Sequence, residues 1–178
     1  MRRNNGGFTL IELIVVIVIL GILAVTAAPK FIDLQSDARL ATLNGMKAAI
    51  NSAVSLTYGK SLVLGKEKEK KVSITINGSP VSVCYGYPCA AATEIQKVLD
   101  IGVFDACSGN STSGNSTSAR DWCYTGGGDS ESSIKIFVAN GYSSGSKCYV
   151  EYTQPDASGK APTVALPTDE HGNIDVKC

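Results

Sequence analysis

One carboxylate stands where hydrocarbon is expected. From Phe8 to Ala28 the sequence reads FTLIELIVVIVILGILAVTAA, and Glu12 is the single ionisable side chain in those 21 residues. Ionisable groups kept in such apolar segments are costly and mark function. The chemistry open to Glu12 is electrostatic: its carboxylate needs a cation or a set of hydrogen-bond donors.

The other chemistry-bearing residues lie further on. All six cysteines (84, 89, 107, 123, 148 and 178) fall beyond residue 80, an even number that points to disulfides formed outside the cytoplasm. Zinc sites favour C-x₂-C pairs. Here the nearest pair is C-x₄-C, and His171 is the only histidine, so no metal and no cofactor are expected. Asp169, Glu170, Asn173 and Asp175 offer oxygen ligands for calcium, but EF-hand spacing is absent and an exposed polar turn is the expectation. No G-x-S-x-G elbow, P-loop or nucleophile with an identifiable base is present, so the chain is not expected to be an enzyme.

The elements that must position Glu12 begin with a helix. At about 1.5 Å per residue, Phe8–Ala28 is long enough to cross a bilayer core. Arg2 and Arg3 precede it, which keeps the short N-terminus cytoplasmic and sends the bulk out. A secretory signal peptide cut after Ala27, releasing a soluble binding domain, is the plain alternative. Glu12 and the length of the run speak against it. A simple anchor leaves Glu12 unexplained.

The opening GFTLIELIVVIVILGILA, behind a short basic leader ending in Gly6-Gly7, resembles the N-terminus of type IV prepilins and pseudopilins. The likeness is ungapped from Gly7 to Pro29 and combines the glycine, Phe8, Glu12 five residues after the cut, and Pro29. It implies cleavage after Gly7 by a prepilin peptidase and N-methylation of Phe8, the new N-terminus. It also implies an assembly role for Glu12, Phe8 and Pro29. Cleavage creates a cationic amine one helical turn from Glu12. The pair can neutralise itself in the membrane; on assembly, the resemblance implies, Glu12 meets the amine of a neighbouring subunit. An unpaired ion in an apolar bundle is penalised, so the pairing selects a register.

Behind Pro29, KFIDLQSDARLATLNGMKAAINSAVSLTYG places Phe31, Leu34, Ala38 and Ala41 in one apolar row and Leu43, Met46, Ile50 and Val54 in another. The pattern predicts a helix over 8–58, bent near Pro29 and stopped by Gly59. VSITINGSPVSV predicts a hairpin around Asn77-Gly78. DWCYT, SIKIFVA and KCYVEYTQ alternate as strands of an antiparallel sheet, with Trp122, Ile134, Ile136 and Val138 as core candidates. The run Lys66–Lys71 reads as a solvated loop. Removing Arg2 and Arg3 leaves 14 basic against 16 acidic side chains, so no nucleic-acid partner is favoured. The tandem GNSTSGNSTS at 109–118 reads as an exposed loop; sequons begin at Asn77, Asn110 and Asn115.

Tyr85-Gly86-Tyr87-Pro88, a short helix near Thr93–Leu99, and AVTAAPKFIDLQSDAR (Ala24–Arg39) resemble pilins of the mannose-sensitive haemagglutinin (MSHA) type. Pairing cysteines in order gives Cys84–Cys89, Cys107–Cys123 and Cys148–Cys178. The last resembles the disulfide-bounded C-terminal region of many pilins.

The expected architecture is an α+β pilin fold. Residues 1–7 form a leader, 8–29 the membrane and filament-core half of the helix, and 30–178 a globular domain. Within that domain come an amphipathic helix 30–58, a loop and hairpin region 59–106, and a sheet with the disulfide-bounded region 107–178. The resemblance implies a major pilin, an inner-membrane precursor that becomes an extracellular pilus subunit for adhesion and biofilm attachment. Its partners would be further copies of itself, the prepilin peptidase, the inner membrane and the pilus assembly machinery there, with an unknown surface receptor. A type II secretion pseudopilin and a minor pilin are the alternatives.

Overall fold

The computed structural model describes residues 9–99, 105–107, 122–128, 131–138 and 145–176, with the backbone alone at 26–35, 105 and 131. The chain divides into two compact units, Met1–Ala38 and Arg39–Cys178, and one helix, α1 (Leu10–Val63), contributes to both. An N-terminal helix combined with antiparallel sheets makes this an α+β, pilin-like layout.

In the first unit, α1 buries none of its described side chains. The large apolar residues from Leu10 to Val25 are 43–76% exposed, and they occupy every side of the helix. The helix continues through Pro29.

In the second unit α1 is amphipathic. Leu43, Met46, Ile50 and Val54 are buried, whereas Ala41 is exposed, as is Ala38 at the end of the first unit. Of the two expected rows the Leu43 row faces the core; the Phe31 and Leu34 side chains of the other lie outside the described residues. The helix also outruns its expected end. Gly59 lies within it, and the stop is Gly65, where φ is +64°. The Gly65 amide donates to the Leu62 carbonyl (3.0 Å) and the Lys66 amide to that of Ser61 (2.9 Å). These two bonds form a Schellman cap, which a left-handed glycine permits; Gly59 in helical geometry costs about 1 kcal/mol but breaks nothing.

Two sheets complete this unit. β1 (Val72–Ile76), β2 (Ser79–Cys84) and β3 (Tyr87–Pro88) form an antiparallel three-stranded sheet, with Asn77-Gly78 turning β1 into β2. After α2 (Ala92–Leu99) come β4 (Asp105–Ala106), β5 (Trp122–Gly128), β6 (Glu131–Val138), β7 (Tyr149–Thr153) and β8 (Thr163–Ala165), ordered as numbered. This sheet is antiparallel except at its edge, where β4 runs parallel to β5.

The buried helical row packs with Ile95 of α2 and with Ile134, Ile136, Val150 and Tyr152 of the larger sheet. Trp122 and Val138 are half-buried at its margin. Two buried hydroxyls of α1 are answered locally. The Thr57 and Ser61 hydroxyls donate to carbonyls one turn back, at Ala53 and Thr57. Tyr152 donates to the Pro88 carbonyl across 2.6 Å, tying the two sheets together.

Candidate assembly site

Glu12 is held by Thr9. The Thr9 amide and hydroxyl both donate to Glu12 Oε2, at 2.9 and 2.8 Å, while the Glu12 amide donates to Thr9 Oγ1 at 3.4 Å. This is a capping box: a threonine just before the helix and a glutamate in its third position satisfy amides that the first turn leaves without acceptors. The signal was present in the sequence as Thr9-Leu10-Ile11-Glu12. Reading Glu12 only against a cation overlooked it. The carboxylate is engaged through one oxygen, and among the described residues no side-chain cation pairs with it.

Around that polar end lies a continuous apolar surface. Leu10, Ile11, Leu13 and Ile14 flank Glu12, and their exposure runs from 43% to 75%. Such a surface is not stable in water as it stands and must be covered by lipid or by protein. Among the residues whose side chains are described, no helix is long and apolar enough to cross a membrane. The described side chains of this apolar stretch end at Val25, whereas the apolar run in the sequence continues to Ala28. The site can do association chemistry: it offers apolar area to bury and one charge beside it.

The remaining expected site residues are distributed as follows. Gly7 and Phe8 lie outside the described residues. Pro29 is in α1, far along the helix from Glu12. Cys84–Cys89 and Cys107–Cys123 are disulfides, the first closing the β2–β3 turn and the second joining β5 to the residue after β4. Cys148 is fully buried and disulfide-bonded; Cys178 lies outside the described residues.

The acidic C-terminal cluster is organised as a turn. Asp169 Oδ1 accepts from the amides of His171 (2.9 Å) and Asn173 (2.8 Å), and Oδ2 accepts from the Asn173 side chain. Those donors hold the Asp169 carboxyl below the usual aspartate range, the Asn173 amide contributing most. Asp175 pairs instead with Lys147, which raises the lysine's pKa. Among the described residues no group of three or more His, Cys, Asp or Glu side chains could hold a metal.

The disulfide turn has its own packing. Tyr58 of α1 stacks on Tyr87 with ring centroids 4.4 Å apart and planes 6° from parallel. Burial, and then the neighbouring Tyr58, push the Tyr87 hydroxyl's pKa up. Gly86 sits beneath this stack at φ +86°, where a Cβ would lie 2.9 Å from Tyr58 Cδ2 and 3.0 Å from Glu67 Cα. Nearby, Glu94 is buried and accepts the Ser82 amide at 2.7 Å while pairing with Lys97 at 3.2 Å. Sequence reading missed Glu94, because a carboxylate on a short helix reads as a solvent-facing residue.

Comparison with known proteins places the N-terminal segment. Residues 2–28 match the prokaryotic N-terminal methylation motif. The chain is 50% identical over 50 residues to the type IV narrow pilus major component PilA5 of Thermus thermophilus, covering 28% of this chain and 43% of that one. It is 37% identical over 99 residues to the type IV major alpha-pilin of Moraxella bovis, covering 54% and 62%. It is also 42% identical over 55 residues to the type II secretion system core protein G of Pseudomonas aeruginosa, covering 31% and 39%. The chain thus spans about half the length of the curated relatives it matches. No solved structure matches it.

Proposed function

We propose that this chain, whose N-terminal methylation motif and likeness to type IV pilins support the reading, is a type IV pilin and the major subunit of an MSHA-type pilus. The type IV pilins among its relatives support a role that is structural rather than enzymatic. A prepilin peptidase cuts after Gly7 and Phe8 is methylated. The processed chain waits in the inner membrane and is then stacked by the assembly machinery into a surface filament that mediates adhesion and biofilm attachment. Phe8, Glu12 and Pro29 serve assembly.

One observation carries this reading. The helix from Leu10 to Val25 exposes apolar side chains on every side and carries a single carboxylate at its first turn. A helix that is apolar all round needs a surround on all sides. Lipid supplies it before assembly, and copies of the same helix supply it in the filament. In either surround the Glu12 charge is costly unless a cation meets it, which the Phe8 amine of a neighbour would do.

A second reading rests on the likeness to the type II secretion core protein G: a pseudopilin acting in secretion. The intact mass of the chain separates the two, taken from material sheared off cells and from membranes. A chain beginning at Phe8, heavier by one methyl group and abundant in the sheared fraction, supports the pilus. The same chain confined to membranes supports the pseudopilin or a minor pilin. A chain beginning at Ala28 overturns both.

A further inference from the structure

Two tight turns of the smaller sheet share one backbone geometry and differ in one residue. Asn77-Gly78 joins β1 to β2 and Tyr85-Gly86 joins β2 to β3, each as a two-residue loop. The φ angles are positive throughout, 48° and 79° in the first turn, 52° and 86° in the second. Asparagine before glycine is what this turn favours, whereas a tyrosine in that place holds a left-handed backbone against the preference of its side chain. The second turn is also tied down, by the Cys84–Cys89 disulfide and by the Tyr85 amide, which donates to the Glu69 carbonyl at 2.9 Å. Residues kept in such sparsely populated conformations gather where ligands are gripped. What surrounds the Tyr85 side chain therefore bears on its use.

Tyr85 lines a cleft of about 860 Å³ whose walls come from both sheets, a size suited to a ligand. Tyr124 of β5 lines it too, and both tyrosines are half-buried. The bond to Glu69 ties the charged run 66–71 to this turn, and its last two lysines, Lys70 and Lys71, are exposed on the cleft wall. The two carboxylates of the wall are already engaged, Glu94 with the Ser82 amide and Lys97, and Asp156 with Lys160 at 2.8 Å. Gln154 spends its carbonyl oxygen on the Ala90 amide at 2.7 Å and keeps its amino group to donate. The cleft thus offers aromatic surface, hydrogen-bond donors and an excess of positive charge. We propose that it binds a carboxylate-bearing saccharide, a uronic-acid polymer that enters with one acidic ring. Tyrosine joins an apolar face to a polar tip, which matches the apolar face and hydroxyl rim of a sugar. The lysines answer its carboxylate. A neutral sugar would leave their charge unused, and a bare inorganic anion would leave the aromatic surface unused. The inference rests on the pilus reading, whose surface partner it names by chemical class.

The test titrates the full-length, disulfide-bonded chain in detergent with three probes by calorimetry: a galacturonic acid tetramer, its neutral methyl ester, and a single-stranded oligonucleotide of equal charge. Saturable binding of the acid, at least tenfold tighter than of the other two, is expected. Tyr85→Asn installs the residue that the turn favours, so it should keep or raise the melting temperature while weakening binding at least tenfold. Lys70→Gln combined with Lys71→Gln, both on the exposed wall, should bring the acid down to the affinity of the ester. Equal affinity for acid and ester in the unaltered chain, or for acid and oligonucleotide, overturns the assignment, as does undiminished binding by Tyr85→Asn. Should Tyr85→Asn lower the melting temperature, the lysine pair decides, and unchanged preference for the acid overturns the assignment. Abundant sheared filaments from a chain that binds none of the probes overturn the cleft and leave the pilus reading standing. Binding of the acid by a chain that yields no sheared filament upholds the cleft and overturns the pilus reading.

Discussion

Thr9 and Glu12 cap the same helix from opposite ends of one turn, the threonine hydroxyl and amide on Glu12 Oε2 and the Glu12 amide on the threonine oxygen. The carboxylate therefore has a local job as well as any intermolecular one. The two are separable because glutamine completes a capping box as well as glutamate, yet carries no charge. Glu12→Gln is expected to insert into membranes and keep the helix start but lose assembly, with sheared-filament yield falling to background. Glu12→Ala should lose both. Normal yield from Glu12→Gln would show that the charge is dispensable and that capping is the residue's main use.

Gly86 is required twice, by its left-handed backbone and by the Tyr58 ring lying where a Cβ would go. Gly86→Ala is expected to destabilise the second unit by about 2–4 kcal/mol, combining backbone strain with overpacking. Urea unfolding followed by tyrosine fluorescence checks this. A midpoint unchanged from wild type would mean the Tyr58–Tyr87 stack yields freely.

The two bridges close loops of different length, with sequence separations of 5 and 16. In the loop-entropy account, removing Cys84–Cys89 costs about 2 kcal/mol and removing Cys107–Cys123 about 3 kcal/mol. Paired Cys→Ala variants compared in denaturant titrations should preserve that order. A reversed order would show that packing around Cys84 and Cys89, both buried, outweighs loop closure.

Tyr152 is fully buried and spends its hydroxyl on the Pro88 carbonyl. Tyr152→Phe keeps the ring and deletes the donor, leaving a buried carbonyl without it, at a cost of about 1–2 kcal/mol. Thermal melts of the two proteins measure the loss, and an unchanged melting temperature would count against a bond between the sheets.

Asp169 has its folded pKa lowered by the Asn173 and His171 donors. A depressed carboxyl contributes stability that is fully present above its unfolded value, about 3.9, and is lost as pH falls through the lower folded value. The 169–173 turn should accordingly loosen only in strong acid. Amide shifts of His171 and Asn173 are expected to titrate with a midpoint below 3.9, and Asp169→Asn should abolish that titration. A midpoint above 3.9 would contradict the hydrogen-bonded turn.

Local pattern carried much of this molecule. The apolar run with Glu12, the hairpin at Asn77-Gly78 and the three alternating segments around Trp122, Ile134 and Val150 were legible because each depends on neighbours within a few residues. So was the Thr9-x-x-Glu12 cap, had the polar residue beside the glutamate been weighed. Other features depend on partners distant in sequence, and only the tertiary structure decided them. Two apolar rows on α1 looked equivalent, and the Leu43 row is buried because Ile134, Ile136 and Tyr152 meet it, while Ala38 and Ala41 of the other row are exposed. Gly59 and Gly65 are equally good stop signals by type. The chain ends its helix at Gly65, since the bonds to Leu62 and Ser61 can form there and the helix is needed as far as Tyr58 and Ser61 to complete its packing. Glu94 turned inward because the Ser82 amide and Lys97 were waiting for it. Local rules specify which elements form; which of their faces are buried is settled by contacts that no single segment contains.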